Sequence, residues 1–338
     1  TASTTEASFT PSGATTSIAA TVPTGAKSGY ICVVSTAGSA STNDIFYVDP
    51  TITSVSPNPV AIGTNIQITG TNLDVTSTVK FWNGSSYSVS AVKSATTATS
   101  VTVAAPSGTS LDSTHVFRLS TSAGAVIYYD VAALGTFSIV TPAEITGFSP
   151  STGAVGSEVT ISGTDFINVT SVVVAGVTLS AGALTEPGRY TVNGAGTAIT
   201  FTVPNGITSA GTIQVTAAGK SVTSSGTFDV PDPVPTGITP TSGYGGDATV
   251  TVSGTYFTGA TSVQFSLNGV DYSAASVPSN VTETSLTADL PTFTGVSSTT
   301  TGPLYVKVTT PSGTGTGSQS DFTYYPPEAD PRLATLTS

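Results

Sequence analysis

An all-β chain of tandem β-sandwiches is what this sequence predicts, on three observations. Threonine, serine, glycine, valine and alanine dominate the 338 residues, and β-branched side chains suit a pleated, half-buried surface. No segment carries a sustained apolar stripe at helical spacing, and methionine is absent altogether. The chain also repeats itself. Three segments open alike, Ile52-Thr-Ser-Val-Ser-Pro57, Ile145-Thr-Gly-Phe-Ser-Pro150 and Pro235-Thr-Gly-Ile-Thr-Pro240, at a period of about 90 residues that suits one sandwich.

The elements of one repeat follow in order. After each opening motif comes a turn and a strand ending in Gly-Thr: Gly70-Thr71, Gly163-Thr164 and Gly254-Thr255. An apolar residue stands two places on, at Leu73, Phe166 and Phe257. The back halves carry a strand with alternating apolar residues that runs into proline: Ile18 to Pro23, Val101 to Pro106, Ile199 to Pro204 and Leu286 to Pro291. A second strand follows at Ile31-Cys-Val33, Val116-Phe-Arg-Leu119, Ile213-Gln-Val215 and Tyr305-Val-Lys-Val308. Phe46, Phe137, Phe228 and Phe322 close the units before proline-containing junctions. Proline restricts those links, so a semi-rigid rod of domains is expected.

The back-half marks occur four times and the opening motif three times. Residues 1–50 therefore read as the back half of a repeat, followed by repeats over 51–142, 143–233 and 234–327 and a tail at 328–338. Half a sandwich has an uncovered inner face and is not stable alone. Two sources of cover are open: strands lying upstream in a longer polypeptide, or strands supplied by another chain. Thr1 is not a translational start, so the chain is expected to be processed or part of something longer. Cys32, in the apolar run Tyr30 to Val34, is expected to be a small buried core residue rather than a reactive thiol.

The opening motif, the Gly-Thr pair and the period together resemble the IPT/TIG domain, an immunoglobulin-like fold, from Thr51 to Pro327. The first fifty residues resemble its second half. The resemblance implies tandem immunoglobulin-like β-sandwiches. It leaves function open, because such domains serve receptors, transcription factors, secreted starch-acting enzymes, and bacterial surface or bacteriophage structural proteins. Tandem, charge-poor, Thr/Gly-rich copies look most like the last group.

Charge excludes some partners. The net charge is −11, and the eight basic residues are spread along the chain. A nucleic-acid binder needs clustered cations to displace counterions from phosphates, so no nucleic-acid partner is expected. The same sparsity argues against an anionic membrane surface. No apolar run is long enough to span a bilayer, so no membrane insertion is expected within these residues.

Catalytic chemistry finds little to work with, and the chain is expected not to be an enzyme and to need no cofactor. His115 is the single histidine, read as a solvated strand-end residue rather than the base of a Ser-His-Asp arrangement. One His and one Cys in different repeats cannot make a tetrahedral zinc site. Asp271 and Glu283 read as ordinary surface carboxylates rather than a glycoside-cleaving pair. Asp49, Glu144, Asp229 and Asp232 sit near junctions, where carboxylates could ligate calcium, but each junction offers only one or two. Asn83, Asn168 and Asn280 fit the N-glycosylation pattern.

The candidate contact residues are Trp82 and Tyr87. In Val79-Lys-Phe-Trp82 the alternation puts Val79 and Phe81 on one face and Lys80 and Trp82 on the other. Asn83-Gly84 signals a tight hairpin that would set Tyr87 across from Trp82. Such a pair could stack on a sugar or anchor a protein, or Trp82 could pack on the neighbouring domain or cover the sandwich edge. The function expected is a non-enzymatic structural or adhesive rod on a bacterial cell surface or virus particle. Its partners would be a protein or surface glycan, with self-association through strand edges a further route. The alternatives are a bacteriophage tail or capsid-decoration protein, and accessory carbohydrate-binding modules of a secreted enzyme. In each case the location is extracellular, on a cell surface or on a virion.

Overall fold

The computed structural model describes residues 5–11, 17–111 and 116–327. The chain divides into two compact units, Thr1–Pro142 with Ala218–Lys220, and Ala143–Ala217 with Ser221–Ser338. In both, nearly all the regular secondary structure is strand.

In the first unit one sandwich covers residues 51–140. One sheet runs Lys93–Thr96, Ser100–Ala104, Asn65–Thr71, Thr51–Ser56, and the facing sheet runs Val126–Tyr128, Phe117–Thr121, Thr76–Trp82, Tyr87–Ser90. Ile139–Val140 pairs in parallel with Val60–Ala61 and ties the end of the repeat to its beginning. Alternate residues of the inner strands, Ile66, Ile68, Val79, Phe81, Val101, Val103, Phe117 and Leu119, fill the core. Each such side chain contributes about 1.5–3 kcal/mol when fully buried. Phe117 lies 5.5 Å from Phe81, 5.3 Å from Tyr129 and 6.4 Å from Phe137 between ring centres.

The second unit holds two sandwiches of the same plan. In the first, Glu144–Ser149, Glu158–Thr164, Ala198–Thr202, Arg189–Val192 and Ser180–Ala181 face Val177–Thr178, Val169–Val174, Gly211–Ala217 and Lys220–Phe228. In the second, Val234–Thr239, Thr249–Thr255 and Ser285–Asp289 face Ser242–Tyr244, Gly313–Tyr325, Thr300–Thr310 and Ser262–Ser266. Each encloses its own apolar core. The closing Phe137, Phe228 and Phe322 are buried in the three cores, as their recurrence implies.

The Gly-Thr motif has a steric cause. The opening strand crosses the motif at a bulge, between Ile52 and Ser54, Ile145 and Gly147, and Pro235 and Gly237. A Cβ at Gly70, Gly163 or Gly254 would overlap the carbonyl oxygen of Thr51, Glu144 or Val234, and at the latter two also the ring of Phe166 or Phe257. The residue after the threonine is left-handed in every case, at Asn72, Asp165 and Tyr256. Asn and Asp tolerate that conformation, whereas for Tyr it is strained. It drops Leu73, Phe166 or Phe257 into the core, with its N–H donating to the carbonyl of Ala98, Gly196 or Glu283.

The described strands of residues 5–48 pair as Phe9–Pro11 with Ile18–Ala20 and Cys32–Ser35 with Gly38–Ser41, with a further bridge between Gly29 and Phe46. Two features depart from the sequence expectations. Cys32 is exposed rather than buried, because no second sheet covers that hairpin among the described residues. A short helix, Val131–Leu134, interrupts the all-β pattern, with Asp130 capping it by accepting from the N–H groups of Ala132 and Ala133.

Replacing Gly163 with alanine should destabilise its sandwich by about 2 kcal/mol through forced overpacking. Gly147→Ala, whose Cβ meets open space, should change stability by less than about 0.5 kcal/mol. Denaturant titration of both variants checks the contrast, and equal effects would refute the steric account. A second expectation concerns pH. Burial pushes the phenols of Tyr129 and Tyr190 up from their ordinary 10.0. The folded state therefore favours the neutral phenol, so that stability is intact below pH 10 and falls as the pH rises through the folded values. Thermal melts followed above pH 9 should show this loss, and Tyr129→Phe should make it shallower.

Candidate functional site

The two sheets of each sandwich turn one face inward, so binding chemistry is left to the outward faces and the loops. On the sheet centred on Thr76–Trp82 and Phe117–Thr121, outward residues meet in cross-strand pairs: Lys80 with Arg118, Arg118 with Tyr128, and Trp82 with Tyr87. Val79 and Phe81 are fully buried on the opposite side, as the alternation predicts. Trp82 and Tyr87 therefore share the outer face, as expected from the sequence.

Their hairpin is wider than a two-residue turn. Asn83 Oδ1 accepts from the backbone N–H groups of Ser85 and Ser86 and from the Ser85 hydroxyl, closing a loop over 83–86 with Gly84 left-handed. The asparagine thus acts by folding its amide into the loop. A bulge between Phe81 and Trp82 lets Tyr87 sit opposite Trp82.

The structure extends the pair to a strip. The Trp82 and Tyr87 rings meet edge-on with centres 4.9 Å apart, and Tyr87 meets Tyr128 edge-on at 5.2 Å. Tyr128 is 51% exposed, while Trp82 and Tyr87 are half-buried. The Arg118 guanidinium lies 5.6 Å from the centre of the Tyr87 ring, close enough for cation–π attraction. Its Nε is buried with no hydrogen-bond partner among the described residues. Ser90, Ser120 and Val126 extend the same face. Tyr128 was missed from the sequence because nothing local marks it, and Arg118 was missed although its neighbours do. The signal was there in Arg118 lying between the buried Phe117 and Leu119, which fixes it on the outer face.

The corresponding face of the last sandwich carries a smaller version, with Lys307 Nζ 4.4 Å from the centre of the Tyr272 ring. Lys307 lies between buried Val306 and Val308, the position that Arg118 holds between Phe117 and Leu119. In the middle sandwich the matching residue is Gln214, between buried Ile213 and Val215.

The remaining candidates have structural surroundings. Glu283 accepts from the Tyr256 N–H and the Thr258 hydroxyl, both at 2.9 Å, which supports the left-handed Tyr256. Asp271 accepts from Asn268 Nδ2 at 2.8 Å within a turn. Neither is placed as one of a pair across a cleft. Asp229 lies at a parallel bridge with Thr152, and the Asp232 carboxylate stands where a Cβ on Gly313 would be. Among the described residues no three or more His, Cys, Asp or Glu side chains gather in a group that could hold a metal. His115 lies outside the described residues. No helix among them is long and apolar enough to cross a membrane.

The IPT/TIG domain family matches residues 50–138 and 233–324. These spans make up more than half of the chain, which belongs to that family. No curated protein matches it significantly. Among solved structures it is similar to a protein crystallised with a xylogluco-oligosaccharide, at 22% identity and a TM-score of 0.28, covering 82% of this chain and 60% of that one. It is similar to the extracellular region of plexin A4, at 17% identity and a TM-score of 0.35, covering 82% and 24%. A third is the surface glycan-binding protein PbSGBP-B of Prevotella bryantii, at 21% identity and a TM-score of 0.25, covering 54% and 42%. The chain thus spans less than two thirds of the length of each of these proteins.

Trp82 is the single tryptophan, so intrinsic fluorescence reports on the strip directly. Tyr87→Ala should open the indole edge to water and shift its emission to longer wavelength, with far-UV circular dichroism unchanged. An unshifted spectrum would mean that the two rings do not meet in solution.

Proposed function

We propose that this chain is a non-enzymatic, extracellular binding and presenting protein of the cell surface, whose aromatic strip takes a carbohydrate. The repeats 51–142, 143–233 and 234–327 act as the scaffold. The observation that carries the reading is the strip itself, in which Trp82, Tyr87 and Tyr128 meet edge-on across the solvent-facing side of one sheet.

Such a surface suits a sugar ring for physical reasons. Pyranose faces are apolar through their C–H groups and polar at their rims, and half-exposed aromatic rings offer the complementary surface. Rings held against one another lose little rotamer entropy on binding, since their neighbours already restrict them. Arg118 and Lys80 at the same face add hydrogen-bond donors for hydroxyl groups. Glycoside cleavage needs two carboxyls flanking the scissile bond. The sheet positions around the strip carry Lys80, Ser90, Arg118, Ser120 and Val126 instead, so the chemistry offered is recognition. The sparse, scattered basic residues argue against a nucleic-acid partner, which sets aside the transcription-factor use of such domains.

Affinity electrophoresis and pull-down on a panel of soluble and insoluble polysaccharides test this reading. Retention is expected for at least one neutral glycan, weakened about tenfold, or ~1.4 kcal/mol, by Trp82→Ala or Tyr128→Ala. Tyr272→Ala, in another sandwich, should leave it unchanged. Retention that survives both substitutions in the strip, or none on any glycan, overturns the proposal.

A further inference from the structure

The eight basic residues are spread along the sequence, but the fold brings two of them together on the face that carries the aromatic strip. Lys80 and Arg118 stand directly opposite each other on Thr76–Trp82 and Phe117–Thr121, which sets their Cβ atoms about 5 Å apart. Other basic residues in strands oppose neutral ones: Lys93 faces Val103, Arg189 faces Ser180, and Lys307 faces Gln264 and Thr316. Like charges set opposite one another repel and cost stability.

Nothing acidic in the sheet offsets that repulsion. Its four strands, Thr76–Trp82, Tyr87–Ser90, Phe117–Thr121 and Val126–Tyr128, contain no Asp or Glu, in a chain with 19 acidic residues. Arg189 has its Glu186 at 3.4 Å, but among the described residues no carboxylate forms an ion pair with Lys80 or Arg118. Lys93 and Lys220 instead donate to the backbone carbonyls of Thr76 and Ile62.

The cation pair adjoins the strip. Arg118 is opposite Tyr128, its guanidinium lies 5.6 Å from the centre of the Tyr87 ring, and Lys80 is on the same strand face as Trp82. A sugar ring lying on these aromatics therefore has its rim beside the two cations.

We infer that the glycan taken by the strip is acidic, with an anionic substituent of the sugar seated between Lys80 and Arg118. The inference rests on the carbohydrate reading of the same strip. An anion relieves the repulsion that a neutral hydroxyl leaves in place, and charge-assisted hydrogen bonds are about twice as strong as neutral ones. The planar guanidinium, already placed against Tyr87, loses little freedom on meeting it. A ring carboxylate and a sulfate ester both supply this chemistry. The net charge of −11 does not forbid it, because at 0.15 M salt a Debye length of about 8 Å screens distant carboxylates while leaving adjacent groups to act.

Affinity electrophoresis of the 338-residue chain at about 0.15 M salt tests this with matched polymers: galactan and polygalacturonate, mannan and polymannuronate, dextran and dextran sulfate. In at least one pair the anionic polymer should be retained about tenfold more strongly than its neutral partner. A gain with a polyuronate assigns a ring carboxylate, and a gain with dextran sulfate assigns a sulfate ester. Lys80→Gln should remove the preference. Lys27→Gln, the same change of charge at an exposed residue elsewhere, should leave it intact. No preference in any pair overturns the inference, as does one that survives Lys80→Gln or disappears with Lys27→Gln. Neutral retention that Trp82→Ala weakens, with no gain for the anionic partner, overturns this inference alone and leaves the carbohydrate reading standing. No retention of any polymer, or retention indifferent to Trp82→Ala, overturns both.

Discussion

The contact between the two facing sheets of a sandwich is the interaction on which the rest of this molecule depends. Neither sheet has an interior alone, and only when Ile66, Ile68, Val101 and Val103 meet Val79, Phe81, Phe117 and Leu119 does either face leave water. That shared burial drives folding and dictates the period-2 alternation of the inner strands. It also makes the positions around it rigid in type. The glycine of each Gly-Thr pair has no room for a Cβ, the residue two places after the threonine must be apolar, and the closing residue is phenylalanine in all three sandwiches.

The same constraint leaves the outward positions free. Arg118, Gln214 and Lys307 occupy one place in the repeat, each between two buried apolar residues, yet they differ in charge and partner. Two of them sit over tyrosine rings, one belonging to Tyr87 and the other to Tyr272. What distinguishes the first of these is the company of Trp82 and Tyr128, which turns a single cation–π pair into a continuous strip. A substitution at these outward places changes the surface without touching the core, so recognition can differ between repeats that fold alike.

Much of the fold could be read from the sequence because the core repeats its instructions. The opening motifs, the Gly-Thr pairs, the strands running into proline and the closing phenylalanines are local patterns with local causes. The Trp82–Tyr87 pairing was legible for the same reason, since alternation and a hairpin signal are short-range. Tyr128 was not, because its contact with Tyr87 depends on how four strands are ordered in the sheet. The helix Val131–Leu134 was overlooked although Asp130 before it and the positive-φ Gly135 after it are ordinary helix boundaries; four residues are too few to show periodicity. Cys32 was misplaced because alternation shows that a strand has an inner face, without showing that anything covers it.

Tyr256 shows how a departure from a local rule is absorbed by the structure around it. Asn72 and Asp165 hold the left-handed position after Gly-Thr with side chains suited to it, whereas a tyrosine there is strained. The opposing loop of that sandwich supplies what the residue lacks. Glu283 accepts the Tyr256 N–H with its carboxylate and the Phe257 N–H with its backbone carbonyl, and it also takes the Thr258 hydroxyl. The matching loops use backbone carbonyls alone, Ala98 toward Leu73 and Gly196 toward Phe166. A carboxylate that sequence inspection treats as loose surface charge is therefore tied to a conformational need of the fold. Acidic residues in this chain have to be judged by the amides they face before any is assigned to chemistry, and by that measure Glu283 belongs to the scaffold, while the groups left over for binding are the aromatic rings.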